Sequence, residues 1–568
     1  MSGEPAPRLK QAALRLRDVG WAVAAAAVSL AVYVRTLAPG LLPGDSGEFQ
    51  VLSTLLGNTH PTGYQIYLLL GKVFTWLPVR DVAYRVNLLS ACMAALTVAG
   101  VYLAGRMLCG HSGPALVGAL ALAVSPTFWS QAEIAEVYTP GAAFLVGVFV
   151  CLLLWEAYDH PAALFVAGLL GGLSLGVHMT VALVAPAVGV FLLVSRPSPP
   201  APLPRLGEGG RPSPQPASGR PSLTSPSPPP WRGGEGRWAV WRPALLGALV
   251  GVVLMVCAFL ALDWHAPTAN YFHTSVLPAY SAWGFRASDV DSPFERLAFD
   301  LSGRQFHSLM FADPRQVMPR LAAEYWHRLP GELSWWLVGL AGLGLASLIV
   351  RRWRVGLLFF LALAVHWGYT FNYDLWDLYV FFIPGYCMLA TLASAGLGWL
   401  LDGLGRLIPQ RVGRLMAEAV LAVAALAVGV WPVFAPRLEM VRAGSPDFPA
   451  DDRFNGYPAD DYGMNGVHQE ATTFVRWLDP DAIVFTDWYW AYPFYYAAHV
   501  EQGRTDLVFL ETIPQMENNR LPDSFMPYIR ERLRQQPIYF SERRPELVKA
   551  GFTLIPTHIG SRLLYRVQ

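Results

Sequence analysis

Long apolar runs separated by short polar stretches dominate the chain. We predict about eleven membrane-spanning helices, because each span needs about 20 mostly apolar residues whose backbone groups pair within the helix. The predicted spans are 20–37, 83–108, 114–129, 137–156, 162–177, 179–195, 243–262, 334–350, 355–371, 378–400 and 415–434. The apolar segment Gly63–Leu77 is interpreted as a re-entrant or membrane-surface helix, because counting it as a span would invert every later loop.

The arginines set the orientation of these spans. With a cytoplasmic N-terminus, the arginine-rich loops 196–242, 351–354 and 401–414 all fall on the inside, as expected for cytoplasmic loops. The segments left outside are 38–82 (the first outer loop), 130–136, 263–333, 372–377 and 435–568. We therefore expect an integral, multi-pass membrane protein with a cytoplasmic N-terminus and an extracytoplasmic C-terminal domain.

Two segments differ from the apolar runs. Residues 197–236 are dense in Pro, Gly, Ser and Arg, which predicts a disordered cytoplasmic linker. Residues 435–568 contain short apolar strands, such as Ala482–Asp487 and Asp506–Glu511, between amphipathic helices, which predicts a small α/β domain. The chain therefore divides into a transmembrane domain, 1–434, and an extracytoplasmic α/β domain, 435–568.

Composition excludes several classes of function. Hydrophobic residues make up 54% of the chain and charged residues only 15%, and the mean hydropathy is +0.34, so the apolar excess must face lipid. The net charge of +1 provides no basic field for nucleic acid. The sequence has no P-loop, no Gly-rich nucleotide motif and no metal-ligand spacing. We therefore expect no cofactor, although a divalent metal is not excluded.

Acidic pairs lie in two of the predicted outer loops nearest the N-terminus. Asp45 and Glu48 follow the first span, and residues three apart on a helix share a face, so both can point into one cleft as bases. A helix cap with a capping box is the alternative. Glu133 and Glu136 occupy a very short loop, where charge at membrane depth is costly and typical of function. A solvated loop tip is the alternative there.

Other polar residues can complete such a site. His60 precedes a Pro-Thr-Gly turn, and His178 lies at the predicted outer end of a span; the alternatives are a simple corner and an interfacial anchor. Arg304 can hold a phosphate, or form a surface salt bridge. Asp374 and Asp377 lie in a tight outer turn, where turn-forming residues beside an aromatic belt are the alternative.

Several ordered blocks of the sequence resemble those of the DUF2723 family. The blocks are DSGEFQVLSTLLGNTHPTGYQIYLLLGKVF, RVNLLSACMAAL, SPTFWSQAEIAEVY and GLSLGVHMT, followed by FNYDLWDLYVFFIP and VEQGRTDLVFL. That family includes the TMEM260-like protein O-mannosyltransferases and belongs with the GT-C glycosyltransferases, which are multi-span enzymes that use polyprenyl-phosphate sugars. The resemblance covers most of the chain outside the Pro-rich linker and implies a GT-C-like fold.

The resemblance implies roles for the matching positions. Asp45 occupies the place of the acidic residue in the first outer loop of GT-C enzymes, which implies a general base, with Glu48 as its neighbour. The positions expected to bind substrate are His60, Tyr64, Glu133, Glu136, Tyr138, His178, Arg304, Tyr373, Asp374 and Asp377. The chain departs from the family pattern at Thr62 and Gln65, where proline is common.

The implied activity is transfer of a hexose, such as mannose, from a polyprenyl-phosphate donor to an extracytoplasmic hydroxyl on a protein or glycan. One base and one displacement give inversion. The expected partners are membrane lipid, the lipid-linked donor and the acceptor, without nucleic acid. A transporter or flippase of lipid-linked intermediates is one alternative, although it should place polar groups at mid-membrane. A non-catalytic envelope assembly protein is the other.

The enzyme hypothesis depends on one geometric expectation. Asp45, Glu48, Glu133 and Glu136 should meet in one water-accessible hollow above the bilayer.

Overall fold

The computed structural model describes residues 14–195, 238–408, 410–444, 446, 466–514 and 519–568. These residues are mostly helical, with one small sheet in the C-terminal part of the chain. The predicted linker, 197–236, lies outside the described residues.

The helices of the described residues follow the apolar runs of the sequence. The α-helices are α1 (Leu16–Arg35), α2 (Gly44–Leu55), α3 (Gln65–Thr75), α4 (Val82–Cys109), α5 (Ser112–Ala123), α6 (Pro126–Ser130), α7 (Tyr138–Tyr158), α8 (Pro161–Leu173), α9 (Ala185–Val194), α10 (Trp238–His265), α11 (Pro293–Ser302), α12 (Pro314–Arg351), α13 (Trp353–Thr370), α14 (Ile383–Leu407), α15 (Arg411–Ala425), α16 (Trp431–Phe434), α17 (Leu438–Ala443), α18 (Gly466–Trp477), α19 (Trp488–Tyr495), α20 (Phe525–Arg532) and α21 (Pro545–Lys549). Short 3-10 or π turns occupy Ser174–Gly176, Met179–Val184, Phe272–Val276, Tyr280–Trp283, Ala287–Val290, Arg304–Leu309, Leu378–Phe382, Leu426–Val430, Ala435–Arg437 and Tyr496–Glu501.

A helix lies at each of the eleven segments predicted to span the membrane. Within the described residues, seven helical segments are long and apolar enough to cross a bilayer: Leu16–Arg35, Val82–Cys109, Tyr138–Tyr158, Val240–His265, Pro314–Arg351, Leu378–Leu407 and Val412–Ala443. Shorter apolar helices lie at Ser112–Ala123, Pro161–Gly176 and Met179–Val194. The helical membrane architecture is therefore confirmed, whereas the total of eleven spans stays a prediction.

The helix α3 fits the interpretation of Gly63–Leu77 as a segment that does not cross the bilayer. It has 11 residues, which is about 16 Å of helix against a hydrocarbon core about 30 Å thick. Its Tyr67 and Leu68 are fully buried among side chains of α2 and α4. The helix therefore packs within the protein beside the first outer loop.

The C-terminal part of the chain forms the predicted small α/β domain. Its strands are β1 (Ile483–Thr486), β2 (Val508–Glu511), β3 (Ile538–Phe540), β4 (Leu554–Ile559) and β5 (Arg562–Val567), in the order β2-β1-β3-β5-β4. β1 runs parallel to β2 and β3, whereas β5 runs antiparallel to β3 and β4. All four residues of β1 are buried, as expected for a parallel strand covered on both faces.

The C-terminal α/β domain, which contains α18 to α21 and β1 to β5 and is called the tail domain below, shares a hydrophobic core with the helices around the first outer loop. One buried cluster joins side chains of α2, α3 and α4 to side chains of α18 and α19. The backbone N–H of Ala83 donates to the Tyr496 hydroxyl at 3.1 Å, which fixes the start of α4 to the end of α19. The helical segment before this domain continues to Ala443, beyond the predicted boundary at 434.

The helices α8 and α10 approach each other closely through glycines. A Cβ atom on Gly168 would lie 2.0 Å from the Ala244 carbonyl oxygen, and one on Gly172 would lie 2.4 Å from that of Ala248. Gly247 and Gly251 on α10 are equally crowded by the backbone of α8. Each helix therefore presents two glycines four residues apart, which is a common small-residue arrangement for close contact between membrane helices.

We expect Gly172→Val to force α8 and α10 apart and to lower stability by about 1–3 kcal/mol, because an added side chain overpacks a backbone contact. Gly171→Val is the matched control, since a Cβ atom at Gly171 meets nothing within 4 Å. Thermal unfolding of the purified protein in detergent measures the effect. Equal unfolding midpoints for the two variants would contradict the proposed close contact.

Candidate active site

The first outer loop begins as an extended segment that buried amides hold in place. The Gln50 side chain accepts from the backbone N–H of Leu42 at 3.0 Å and donates to the Gly40 carbonyl at 3.2 Å and to Asn87 at 2.8 Å. The Asn87 amide also donates to the carbonyls of Ala38 and Gly40, both at 3.1 Å. These bonds connect the loop to α2 and α4 and thereby fix where α2 begins.

The helix α2 carries the first predicted acidic pair. Pro43 occupies its N-cap position and no side chain caps the helix, so the capping box that the sequence allowed does not form. Asp45 lies half-buried in the first turn, and Glu48 is completely buried one turn later. Neither carboxylate is used to start the helix, which leaves both for contacts across the loop.

Glu48 binds His60 through two hydrogen bonds. The Glu48 Oε2 atom lies 2.5 Å from the His60 Nδ1 atom, and Oε1 accepts from the His60 backbone N–H at 2.9 Å. Their side chains are 0% and 11% exposed, so the contact is shielded from solvent. The bend between α2 and α3 therefore closes around this pair.

The contact between Glu48 and His60 changes the pKa of both side chains. Burial lowers the pKa of His60, but the charges of Glu48 and Asp45 and the hydrogen bond to Glu48 outweigh it and raise that pKa to about 9. Burial raises the pKa of Glu48, and the charge and hydrogen bond of His60 oppose this effect. The imidazole of His60 is therefore protonated and positively charged at neutral pH.

Aromatic rings surround His60 on several sides. Its ring centroid lies 5.2 Å from that of Tyr64, 5.6 Å from that of Trp488, 6.1 Å from that of Phe49 and 6.4 Å from that of Tyr271. Tyr64 is the N-cap residue of α3, so the predicted HPxGY block places it next to His60 as expected for one site. The Glu48 carboxyl group and the His60 imidazole are therefore polar groups in largely aromatic surroundings.

Asp45 lies beside this pair and faces the tail domain. Its Oδ1 atom accepts a hydrogen bond from the Trp488 indole N–H at 2.8 Å. Its charge raises the pKa of both His60 and Glu48, so the three groups form one electrostatic unit. The half-exposed carboxylate can approach a ligand, whereas Glu48 is closed off by His60.

Glu136, His178 and their neighbouring tyrosines extend the site. The charge of Glu136 contributes to the raised pKa of His60 and of Tyr64, which places this buried carboxylate in the same group. His178 stacks on Tyr64 at 6.4 Å and contacts Tyr138 at 5.0 Å between ring centroids. Burial lowers the pKa of His178 to about 4, so its imidazole is neutral at physiological pH.

Tyr373 reaches the same region through a chain of rings. Its centroid lies 5.4 Å from that of Phe381, which in turn lies 5.3 Å from that of His178. Asp377 is buried next to Tyr373 and contributes to its raised pKa. The turn 372–377 therefore borders the site through Tyr373.

Glu133 does not join the group around His60. Its carboxylate accepts a hydrogen bond from the Trp129 indole N–H at 2.8 Å, and its charge acts on Tyr33 of α1. The Glu133 carbonyl also accepts from the backbone N–H of Ala38 at 2.9 Å. The expectation that all four acids meet in one hollow is therefore corrected for Glu133, which faces α1.

Arg304 and Asp374 lie on the protein surface. The Arg304 guanidinium is exposed and packs over the Phe285 ring at 4.7 Å, instead of forming the surface salt bridge named as its alternative. Asp374 pairs with Arg320 at 2.5 Å, and its side chain is 42% exposed. The structure therefore does not bring these two predicted positions to His60.

Two buried acids at the site were missed by the sequence analysis. Asp300 on α11 accepts from the Gln65 amide at 2.8 Å, and burial raises its pKa to about 8 despite that bond. Glu511 ends β2, and burial likewise raises its pKa to about 8, with Glu48 and His60 near enough to contribute. The position of Glu511 at the carboxyl end of a buried strand was the available signal. Asp300 had none.

The described residues contain no group of three or more His, Cys, Asp or Glu side chains arranged to hold a metal ion. The site instead combines one half-exposed carboxylate, a buried protonated pair and two neutral acids within an aromatic wall. Such groups can take a proton from a hydroxyl and donate hydrogen bonds to an anion or a sugar.

One segment of the chain, which carries the site residues from Asp45 to His178, matches a known protein family. Residues 45–200 match the family described as the Protein O-mannosyl-transferase TMEM260 N-terminal domain. The family resemblance inferred from the sequence blocks is thereby confirmed over this segment. It contains the predicted site residues from Asp45 to His178, whereas Trp488 and Glu511 lie outside it.

Individual relatives match over short segments. The chain is 34% identical over 131 residues to "Protein O-mannosyl-transferase TMEM260" of Mus musculus, covering 23% of this chain and 18% of the relative. It is 25% identical over 127 residues to "Protein O-mannosyl-transferase tmem260" of Dictyostelium discoideum, covering 22% of this chain and 15% of the relative. The matched segments thus span less than a fifth of either relative's length.

One solved structure aligns along nearly the whole chain. It is the cryo-EM structure of the arabinofuranosyltransferase AftD from Mycobacteria, with 15% sequence identity and a TM-score of 0.43. The alignment covers 99% of this chain and 40% of AftD.

The Glu48–His60 pair predicts a specific pH dependence of stability. Since the folded-state pKa of His60, about 9, lies above its ordinary value of 6.5, its stabilisation is complete below about pH 6.5 and is lost as pH rises through about 9. Glu48→Gln removes the main charge that raises this pKa. We expect the variant to lose roughly 3 kcal/mol of stability at neutral pH and to show a flatter decline between these pH values.

Thermal unfolding of the wild type and of Glu48→Gln in detergent, from about pH 6 to about pH 10, tests this pH dependence of stability. Glu531→Gln is the control, because the Glu531 side chain is 74% exposed and pairs only with Arg532 in the contacts described for it. An unchanged pH slope in Glu48→Gln would show that His60 is not held by Glu48.

Proposed function

We propose that this protein is an integral-membrane glycosyltransferase that moves a sugar from a polyprenyl-phosphate donor to a hydroxyl on an extracytoplasmic acceptor. The observation that carries this proposal is the half-exposed Asp45 carboxylate held beside the buried Glu48–His60 pair. Mannose is the proposed sugar, because both curated relatives are named protein O-mannosyl-transferases. The acceptor is a protein or a glycan.

In the proposed reaction, Asp45 is the general base. The acceptor hydroxyl is a weak nucleophile, so a carboxylate within hydrogen-bond reach takes its proton as the oxygen bonds to the anomeric carbon. The bond between that carbon and the phosphate oxygen breaks at the same time, and the lipid phosphate leaves with the electron pair. No cofactor is needed, because the donor already carries a good leaving group.

His60 supplies the positive charge that the leaving phosphate requires. Its Nδ1 atom faces Glu48, so the Nε2 edge of the protonated ring is the donor that we assign to a phosphate oxygen. Glu48 holds the ring in this orientation and maintains its charge through the raised pKa. Glu48 is therefore a positioning residue in the proposed reaction, beside the base Asp45.

The transporter alternative fits the position of these groups less well. A transporter should bring its polar groups together near mid-membrane, whereas Asp45, Glu48 and His60 lie on α2 and in the loop after it. Neither segment belongs to the seven helical segments that are long and apolar enough to cross the bilayer. A non-catalytic assembly protein would not need a buried, charge-balanced pair next to a half-exposed base.

Asp45→Asn tests the base directly. We expect kcat to fall at least about a hundredfold, because the amide cannot accept the acceptor's proton, while binding of the lipid donor persists. Activity is measured in proteoliposomes as release of polyprenyl phosphate from polyprenyl-phosphate mannose. Glu531→Gln, which alters an exposed carboxylate paired with Arg532, is the control. Turnover by Asp45→Asn at the wild-type rate would exclude Asp45 as the base.

The stereochemistry of the product is an independent test. One displacement by the acceptor oxygen should invert the anomeric carbon, so the product linkage should have the opposite configuration to the donor linkage. NMR coupling constants of the isolated glycoside distinguish the two anomers. Retention would indicate a covalent sugar–enzyme intermediate, and the single-displacement mechanism would then be wrong.

A further inference from the structure

Two neighbouring strands of the tail sheet end at the candidate active site. β1 and β2 are parallel, and their last residues, Thr486 and Glu511, are paired in register. In open α/β sheets, ligands bind at the carboxyl ends of parallel strands, where loops and helix starts supply side chains. Here the carboxyl ends of β1 and β2 face the membrane domain and supply Trp488 and Glu511 to the site.

The sequence after β1 fixes the position of Trp488. Asp487 is the N-cap of α19, and its side chain accepts from the Trp490 backbone N–H at 3.1 Å. Trp488 is therefore the first residue of a capped helix directly after a buried strand. Such a position gives the indole a defined direction, which a residue in a long loop would not have.

Trp488 contacts both Asp45 and His60, the proposed base and the proposed phosphate ligand. Its indole N–H donates to Asp45 Oδ1 at 2.8 Å, and its ring centroid lies 5.6 Å from that of His60. The rings of Tyr271 and Tyr492 pack edge-on against it at 5.8 Å and 5.0 Å. The indole has one N–H and no acceptor, so its only conventional hydrogen bond goes to the proposed base.

The helices α2 and α19 approach each other closely at Gly47. A Cβ atom on Gly47 would lie 2.5 Å from the Leu42 carbonyl oxygen and 3.3 Å from the Pro493 ring. Gly47 follows Asp45 by two residues, and Pro493 lies in the helix that Trp488 begins. The close approach is thus independent evidence that the tail helix and the turn carrying Asp45 are fitted to each other.

We propose that Trp488 is a positioning residue that orients the Asp45 carboxylate toward the acceptor hydroxyl, so that the C-terminal domain forms one wall of the active site. This inference rests on the proposed function, because that function assigns Asp45 as the base. One oxygen of the carboxylate is held by the indole, which leaves the other directed at the substrate. The tail domain is then part of the catalytic machinery and not only a cover over it.

Trp488→Phe is the informative variant. Phenylalanine keeps a ring against His60, Tyr271 and Tyr492 but removes the N–H that holds Asp45. We expect kcat with polyprenyl-phosphate mannose to fall about tenfold to a hundredfold, as for a misplaced catalytic group, with KM within about twofold of the wild type. Trp490→Phe is the matched control on the same helix, because that ring stacks on Phe494 at 5.4 Å and lies under the Arg562 guanidinium at 3.8 Å.

A second measurement does not depend on sugar transfer. A water-soluble carbodiimide modifies carboxyl groups, and mass spectrometry follows its rate at Asp45. Without the indole N–H, the Asp45 carboxyl should react several-fold faster in Trp488→Phe, and at the wild-type rate in Trp490→Phe. Trp488→Leu, which also lacks a side-chain donor, replaces Trp488→Phe if the latter does not fold, as judged by its thermal unfolding midpoint.

The outcomes separate this inference from the proposed function. A selective loss of kcat together with faster labelling of Asp45 supports both. Labelling of Asp45 at the wild-type rate, or losses of activity equal to those of Trp490→Phe, would overturn the positioning role. If the wild-type protein releases no polyprenyl phosphate, the proposed function fails, and the labelling alone then decides whether Trp488 holds Asp45.

Discussion

The burial of the Glu48 carboxylate constrains the whole candidate site. An ionised carboxylate without a partner in such a place would cost several kcal/mol, so the chain must bring a donor to it. His60 does so twice, with its backbone N–H and its ring. This requirement folds the segment between α2 and α3 back on itself, and the same fold brings Asp45 and Tyr64 close to the histidine. The buried amides of Gln50 and Asn87 then fix the extended segment before α2.

The tail domain closes the arrangement that this pair begins. It packs against the membrane domain through the apolar core shared by α2, α3, α4, α18 and α19. That core holds the two domains together, whereas the hydrogen bond from Trp488 orients the Asp45 carboxylate. Apolar packing tolerates small displacements, but a hydrogen bond to a carboxylate weakens steeply with distance and angle. Precision at the site therefore comes from a few polar contacts on a hydrophobic support.

Local features of the sequence predicted much of this molecule. Apolar run length located the helices, and strand patterns located β1 and β2, because both signals depend on neighbouring residues. Asp45, Glu48 and His60 were named as candidates from the same kind of local signal, and their roles stay a prediction. Glu133 was grouped with the other acids because all four lie in predicted outer loops, but loop membership does not fix direction, and its carboxylate accepts from the Trp129 indole while its charge acts on Tyr33 of α1. The contacts of Trp488 and Asp300 connect residues hundreds of positions apart in sequence, and no spacing rule reports them.

The proposed function requires an acidic site to accept an anionic lipid phosphate, and the protonation of the buried acids bears on this requirement. If Asp45, Glu48, Asp300 and Glu511 were all ionised, their combined charge would repel a lipid phosphate more strongly than His60 could attract it. Burial instead raises the pKa of Asp300 and of Glu511 to about 8, so both are mostly neutral at physiological pH. Glu48 is balanced by the proton on His60. In their neutral form, Asp300 and Glu511 can donate hydrogen bonds to the phosphate of the proposed donor.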